Sequence, residues 1–235
     1  MAMAHCEWGL NGVRMLRERC AVLIIVDVLS FSTAVDIAVA RNAEIIPFPL
    51  GDQDAAARVA ATANAQLASH RREGEQLSLS PASLQAVAPG TRLVLPSPNG
   101  SRLSLEGGNA TVFAGCVRNR NAVAKAALTA AKDAEIAVIP AGERWRSDDS
   151  LRPAIEDLIG AGAILDALGL AATAEARVAR DAFVSARTSL ADTIRDSLSG
   201  RELLEKGFPQ DVELAVQLDV SHVAPVLRQG AFRAY

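Results

Sequence analysis

Aromatic side chains are scarce in this chain: six phenylalanines, two tryptophans and one tyrosine, 4% of 235 residues. Half of the residues are nonetheless hydrophobic, so the core must be built from Ala, Val, Leu and Ile, which suits helices packed closely on a sheet. Cysteine is rarer still. Cys6, Cys20 and Cys116 are widely spaced, odd in number and without metal-ligand spacing, which reads as reduced thiols in a cytoplasmic protein. There is no excess of positive charge either. The net charge is −3 and the pI near 5.7, so no global basic field recruits nucleic acid. Residues 21–28 form the most apolar run, but it is strand length and bracketed by Glu18 and Asp27, so no membrane span is expected. The opening MAMAHCEWGLNG lacks a basic stretch followed by an apolar one, and secretion is not expected.

Several chemistries lack their signatures. The three histidines, His5, His70 and His222, fall outside the polar loops and form no metal-binding pair. A Gly-x-Ser-x-Gly elbow, a Gly-x-x-x-x-Gly-Lys-Ser/Thr loop and a Gly-x-Gly-x-x-Gly turn are all missing, which removes support for a serine hydrolase or a nucleotide binder. An aspartyl-phosphate mechanism of the haloacid-dehalogenase kind needs a second acid two residues after the first, and Leu29 stands there.

What is present is an alternation of strand and helix signals. Strands are expected over 21–27, 43–48, 91–95, 111–114, 135–139 and 224–227. Helices are expected over 32–41, 52–70, 119–132 and 153–168, and over almost all of 173–217. That order points to a three-layer α/β/α fold with a mostly parallel or mixed sheet and a helical C-terminal part. One integrated domain is the simplest division, with 115–135 as the place where two lobes would part. The 173–217 segment either covers the sheet or forms the face of a homodimer. Gly160 and Gly162, inside an otherwise apolar helix, suggest close packing against a neighbour.

Polar residues collect just after the strands. VLIIVDVLSFST (22–33) ends a buried apolar run on Asp27 and follows it with Ser30, Ser32 and Thr33. This sequence either caps the next helix or delivers a carboxylate and helix-start N–H groups to the rim of a sheet, where ligands of α/β proteins bind. A carboxylate favours a hard cation and the N–H groups an anion, hence metal-assisted phosphate chemistry. Three further loops would share that edge: Pro96–Arg102 with Asn99, Gly100 and Ser101; 115–120 with Arg118 and Asn119; and 140–144 with Arg144, leading to Glu156 and Asp157. Asn99-Gly100 reads equally well as a plain turn, and Glu156-Asp157 as acids favoured by a helix dipole. Glu75 is a weaker acid candidate. Arg102, Arg118, Arg120, Arg144, Arg146 and Arg152 together could form a local anion funnel on an acidic protein.

At these loops the sequence resembles the 2-phosphosulfolactate phosphatase family. The matching stretches are DVLSFSTAV (27–35), SPNGS (97–101), GCVRNRNAVA (115–124), PAGER (140–144) and LRPAIEDLIGAGAIL (151–165), in that order, with DVELAVQLDVSHVAPVL (211–227) also similar. The resemblance implies an α/β/α fold and a magnesium-dependent enzyme, linked to coenzyme M biosynthesis, that hydrolyses a small anionic phosphate monoester to sulfolactate and phosphate. It implies Asp27, Glu156 and Asp157 as catalytic acids, Asp27 and Asp157 as Mg²⁺ ligands, and Ser32, Thr33, Asn99, Gly100, Ser101, Arg118, Asn119 and Arg144 as substrate contacts. Ser30 stands where the family often has arginine, so one anion contact is missing or supplied elsewhere. Two alternatives remain open at this point: a phosphatase for another small phosphorylated acid, and a non-catalytic binder of a sulfonate or phosphate metabolite.

Overall fold

The computed structural model describes residues 2–69 and 76–235; His70 and the candidate acid Glu75 lie outside the described residues. The strands are β1 (Met3–Cys6), β2 (Val22–Val26), β3 (Glu44–Pro49), β4 (Gln66–Leu67), β5 (Arg92–Ser97), β6 (Thr111–Gly115), β7 (Ile136–Pro140), β8 (Glu143–Arg144), β9 (Leu151–Arg152), β10 (Ala171–Ala172), β11 (Pro225–Arg228) and β12 (Ala231–Ala234). The α-helices are α1 (Gly9–Leu16), α2 (Phe31–Ala40), α3 (Gln53–Thr62), α4 (Pro81–Leu84), α5 (Gly100–Leu105), α6 (Arg120–Ala131), α7 (Ile155–Leu168), α8 (Ala174–Ala186), α9 (Leu190–Asp196), α10 (Leu198–Glu205) and α11 (Pro209–Ala215).

Ten strands form one sheet in the order β10-β1-β7-β2-β6-β11-β12-β3-β5-β4, and β8 pairs with β9 as a separate hairpin. All five residues of β2 are fully buried, and they alternate between two cores. Val22, Ile24 and Val26 face the core shared with α6, α7 and α8, whereas Leu23 and Ile25 face the core shared with α1, α2 and α5. Helices therefore cover both faces, giving the three layers expected for a branched apolar strand with no polar side.

Strand direction departs from a simple parallel sheet. β10, β1, β7, β2 and β6 are mutually parallel, as are β3, β5 and β4. Between the groups lie three antiparallel steps in succession, β6 to β11, β11 to β12 and β12 to β3. An odd number of reversals inverts the second group. The loops after β2, β6 and β7 thus share one edge, and the loop after β5 does not share it by strand direction.

The helical stretches are more broken than their composition suggests. Instead of running over 52–70, α3 ends at Thr62, because Asn64 takes a left-handed conformation (φ 48°) and β4 then joins β5. Residues 173–217 divide into four α-helices. Ser197 closes α9 and caps α10, accepting from Gly200 N–H at 3.0 Å, and Pro209 opens α11. Inside α7, Gly160 lies against Val28 and Val26, and Gly162 against the backbone of Ala179 in α8. Among the described residues no helix is long and apolar enough to cross a membrane.

Candidate active site

Asp27 is the first residue beyond β2, and the starts of two helices hold its carboxylate. Oδ1 accepts from the Phe31 N–H at 3.2 Å, and Oδ2 accepts from the Gly100 N–H at 2.9 Å. The second bond brings the Asn-Gly turn to Asp27 despite the inverted direction of β5. It also explains the glycine: a Cβ at position 100 would fall on the Phe31 ring. Ser32 Oγ accepts from the Asp27 N–H at 3.1 Å and donates to the Ile25 carbonyl at 3.0 Å; Thr33 Oγ1 donates to the Val28 carbonyl at 2.8 Å. Both hydroxyls are fully buried and engaged with backbone, so they shape the turn that presents Asp27.

Asp157, the third residue of α7, does not cap its own helix. Its Oδ1 accepts from the Val28 N–H at 2.7 Å and its Oδ2 from the Gly142 N–H at 2.8 Å. One carboxylate thereby ties the exits of β2 and β7 to the start of α7. Gly142 turns the chain there with φ +69°, and a Cβ on it would meet Leu151 Cδ1 at 2.6 Å. Immediately after it, β8 carries Glu143, whose Oε2 accepts from Asn99 Nδ2 at 2.9 Å.

Four acids therefore converge: Asp27, Glu143, Glu156 and Asp157. Burial pushes the Glu143 carboxyl up to about 7, and the nearby Asp27 and Glu156 charges push the same way; the Asn99 bond and Arg152 oppose them. Asp157 is raised well above the ordinary range, first by burial and then by Asp27 and Glu156. Glu156 is buried, and its Oε2 has no hydrogen-bond partner. An all-oxygen donor set with mutual repulsion and one unpartnered buried oxygen fits a hard divalent cation. Among the described residues, His5, Cys20 and Glu135 are the trio whose ligand atoms all lie within 4.8 Å. They sit at the opposite edge of the sheet, where Arg19 holds Glu135 through bonds of 2.6 and 3.3 Å. Burial pushes the thiols of Cys6 and Cys116 up to about 12 and that of Cys20 to about 11, which suits inert core residues.

The remaining candidates fall in several places. Asn99 and Gly100 join the acids. Ser101, fully buried, donates to the Leu95 carbonyl at 3.0 Å. Asn119 Oδ1 accepts from the Cys116 N–H at 2.9 Å inside its own turn. Arg118 donates from Nε to the buried Asp36 at 2.9 Å and from Nη1 to the Leu214 carbonyl at 3.0 Å, away from the acids. Arg120 bridges Asp219 at 2.7 Å and Asp166 at 3.1 Å. Arg144 pairs with Asp149 at 2.5 Å near the surface. Sequence reasoning placed Glu143 in a polar loop without singling it out. The available signal was an acid directly after the Pro-Ala-Gly exit of a strand.

The 2-phosphosulpholactate phosphatase family model matches residues 13–230. A 2-phosphosulfolactate phosphatase from Methanothermobacter thermautotrophicus is 31% identical over 219 residues, covering 91% of this chain and 89% of the relative.

Proposed function

The chain belongs to the 2-phosphosulpholactate phosphatase family, and from that membership we propose that it hydrolyses 2-phosphosulfolactate to sulfolactate and phosphate with Mg²⁺ as cofactor. The observation that carries the metal-dependent reading is the convergence of four acids, one of which, Glu156, keeps a buried oxygen without a partner. Asp27, Asp157 and Glu156 would hold the ion. When bound, such an ion neutralises charge on a phosphoryl oxygen and lowers the pKa of a coordinated water.

The chain's own groups do the positioning. The Phe31 and Gly100 N–H groups aim Asp27, and those of Val28 and Gly142 aim Asp157. Asn99 holds Glu143 against the same space. A neighbouring dication relieves the repulsion among the acids and favours their ionised forms. The three cysteines are buried and unpaired, which fits a reducing cytoplasm as the place of action.

Phosphate release from 2-phosphosulfolactate, measured with Mg²⁺ and with excess chelator, tests both parts. Turnover is expected only with Mg²⁺, and Asp27→Asn is expected to lower kcat by ~100- to 1000-fold, the scale set by removing one preorganised electrostatic group. Undiminished release in chelator would remove the metal. Turnover of other small esters, but not of this one, would remove the substrate.

A further inference from the structure

Among the arginines near the polar loops, one is buried yet only loosely held. Arg152 is 7% exposed, but its nearest acceptors are Ser199 Oγ at 3.4 Å and Glu202 Oε1 at 3.6 Å. Arg118 and Arg120, by comparison, make bonds of 2.7–3.1 Å to carboxylates. A guanidinium carries five donors in a rigid fork and is costly to bury without a matching oxyanion. Here the contacts to Ser199 and Glu202 are long for a hydrogen bond and an ion pair. The Trp145 ring lies beside it, with the guanidinium carbon 5.8 Å from the ring centroid, within cation–π reach.

Its position relative to the acids is defined by pairing. Arg152 lies directly across the β8–β9 hairpin from Glu143, on the same face of that ribbon. It is close enough to draw the Glu143 carboxyl downward against burial. An acid cluster suited to a cation thus lies next to a loosely held guanidinium suited to an anion. Of the helix-start N–H groups beside the acids, those of Phe31 in α2 and Gly100 in α5 already hold Asp27.

We propose that Arg152, seated by Trp145 and Ser199, binds an anionic group of the substrate other than the transferred phosphate, and so selects phosphate esters that carry a second oxyanion. This rests on the phosphatase reading above. It deepens that reading by assigning the residue that recognises the rest of the substrate. A sulfonate and a carboxylate share the fork-matching chemistry, and three esters separate them. 2-Phosphosulfolactate has both groups, 2-phospholactate has the carboxylate alone, and isopropyl phosphate has neither.

Steady-state kinetics on the three esters with wild type, Arg152→Gln and Arg152→Lys provides the test. Arg152→Gln is expected to lower kcat/KM for the doubly substituted ester by ~10- to 100-fold, mainly through KM, from the strength of charge-assisted hydrogen bonds. The loss for isopropyl phosphate is expected to be at least tenfold smaller, so that the variant's preference among the esters collapses. Arg152→Lys, which keeps the charge and loses the fork, is expected to fall between. A loss on 2-phospholactate equal to that on the sulfonated ester assigns the carboxylate to Arg152; a smaller one assigns the sulfonate. Equal losses on all three esters would overturn the proposal, as would unchanged KM values. If Arg152→Gln does not fold, the Arg152→Lys comparison and the same ratios in Trp145→Leu decide it. If the wild type turns over none of the esters, the phosphatase reading fails. Calorimetric titration of sulfolactate and lactate into wild type and Arg152→Lys then decides for Arg152, with equal or absent binding in both proteins counting against it.

Discussion

Asp36 has no exposed surface, yet it is a carboxylate that three elements share: α2 carries it, Arg118 donates to Oδ2, and Ser221 Oγ donates to Oδ1 at 2.5 Å. Burial raises its pKa, and the bonds from Ser221 and Arg118 oppose that rise. Arg118 was an expected substrate contact, and its geometry assigns it a structural task. Removing one partner of a buried ion pair leaves an uncompensated charge, so Arg118→Ala is expected to lower stability by about 3–5 kcal/mol. Chemical denaturation measures that loss. The KM of the folded variant is expected to stay within about threefold of wild type, because side chains far from the reacting groups usually leave binding free energy nearly unchanged. A large rise in KM with intact stability would instead return Arg118 to the substrate.

At the scale of elements, α7 is the piece that joins the candidate site to packing. Its first turn supplies Glu156 and Asp157, and its middle lies on α8 through Gly162. A methyl group there would collide with the Ala179 carbonyl, so Gly162→Ala must push the helices apart. The expected cost is about 1–3 kcal/mol, read as a fall in Tm of ~2–12 °C for a chain of this size. Activity is expected to fall as well, since Asp157 moves with its helix; unchanged Tm would show that α8 yields freely. Much of this element was legible. The apolar run after Glu156-Asp157 marked a buried helix, and the paired glycines marked a close neighbour. The strand ending on Asp27 was legible for the same reason, a short branched apolar run stopping on an acid. The hairpin of β8 and β9 was not. Two-residue strands carry no periodicity, so the pairing of Glu143 with Arg152 could not be read locally. Ser32, Thr33, Ser101 and Asn119 bond to backbone here, and hydroxyls and amides beside a site look alike in sequence whether they face a ligand or a backbone carbonyl.

The whole molecule carries the electrostatic consequence of gathering four acids. Glu143 and Asp157 hold protons more tightly in the folded, metal-free protein than in an unfolded chain, where a glutamate titrates near 4.5. The folded state therefore binds more protons, and its stability falls as pH rises from about 4.5 through about 7. In chelator, Tm at pH 8 is expected to lie below that at pH 5.5, and Mg²⁺ is expected to raise Tm more at pH 8 than at pH 5.5. A Tm that does not change with pH in chelator would contradict this. The inversion of β3, β5 and β4 is also a whole-molecule property, invisible to local pattern because it is set by pairings between distant segments. Its cause lies in β11 and β12, the last two strands in chain order among the described residues, which occupy the middle of the sheet. During synthesis on a ribosome, the two parallel groups emerge before the ribbon that bonds them to each other. Until residues 225–234 leave the exit tunnel, β6 and β3 both present open edges, and such edges are the surfaces on which nascent chains pair wrongly. The chain must therefore wait for its final strands to seal a sheet whose flanks can already be in place.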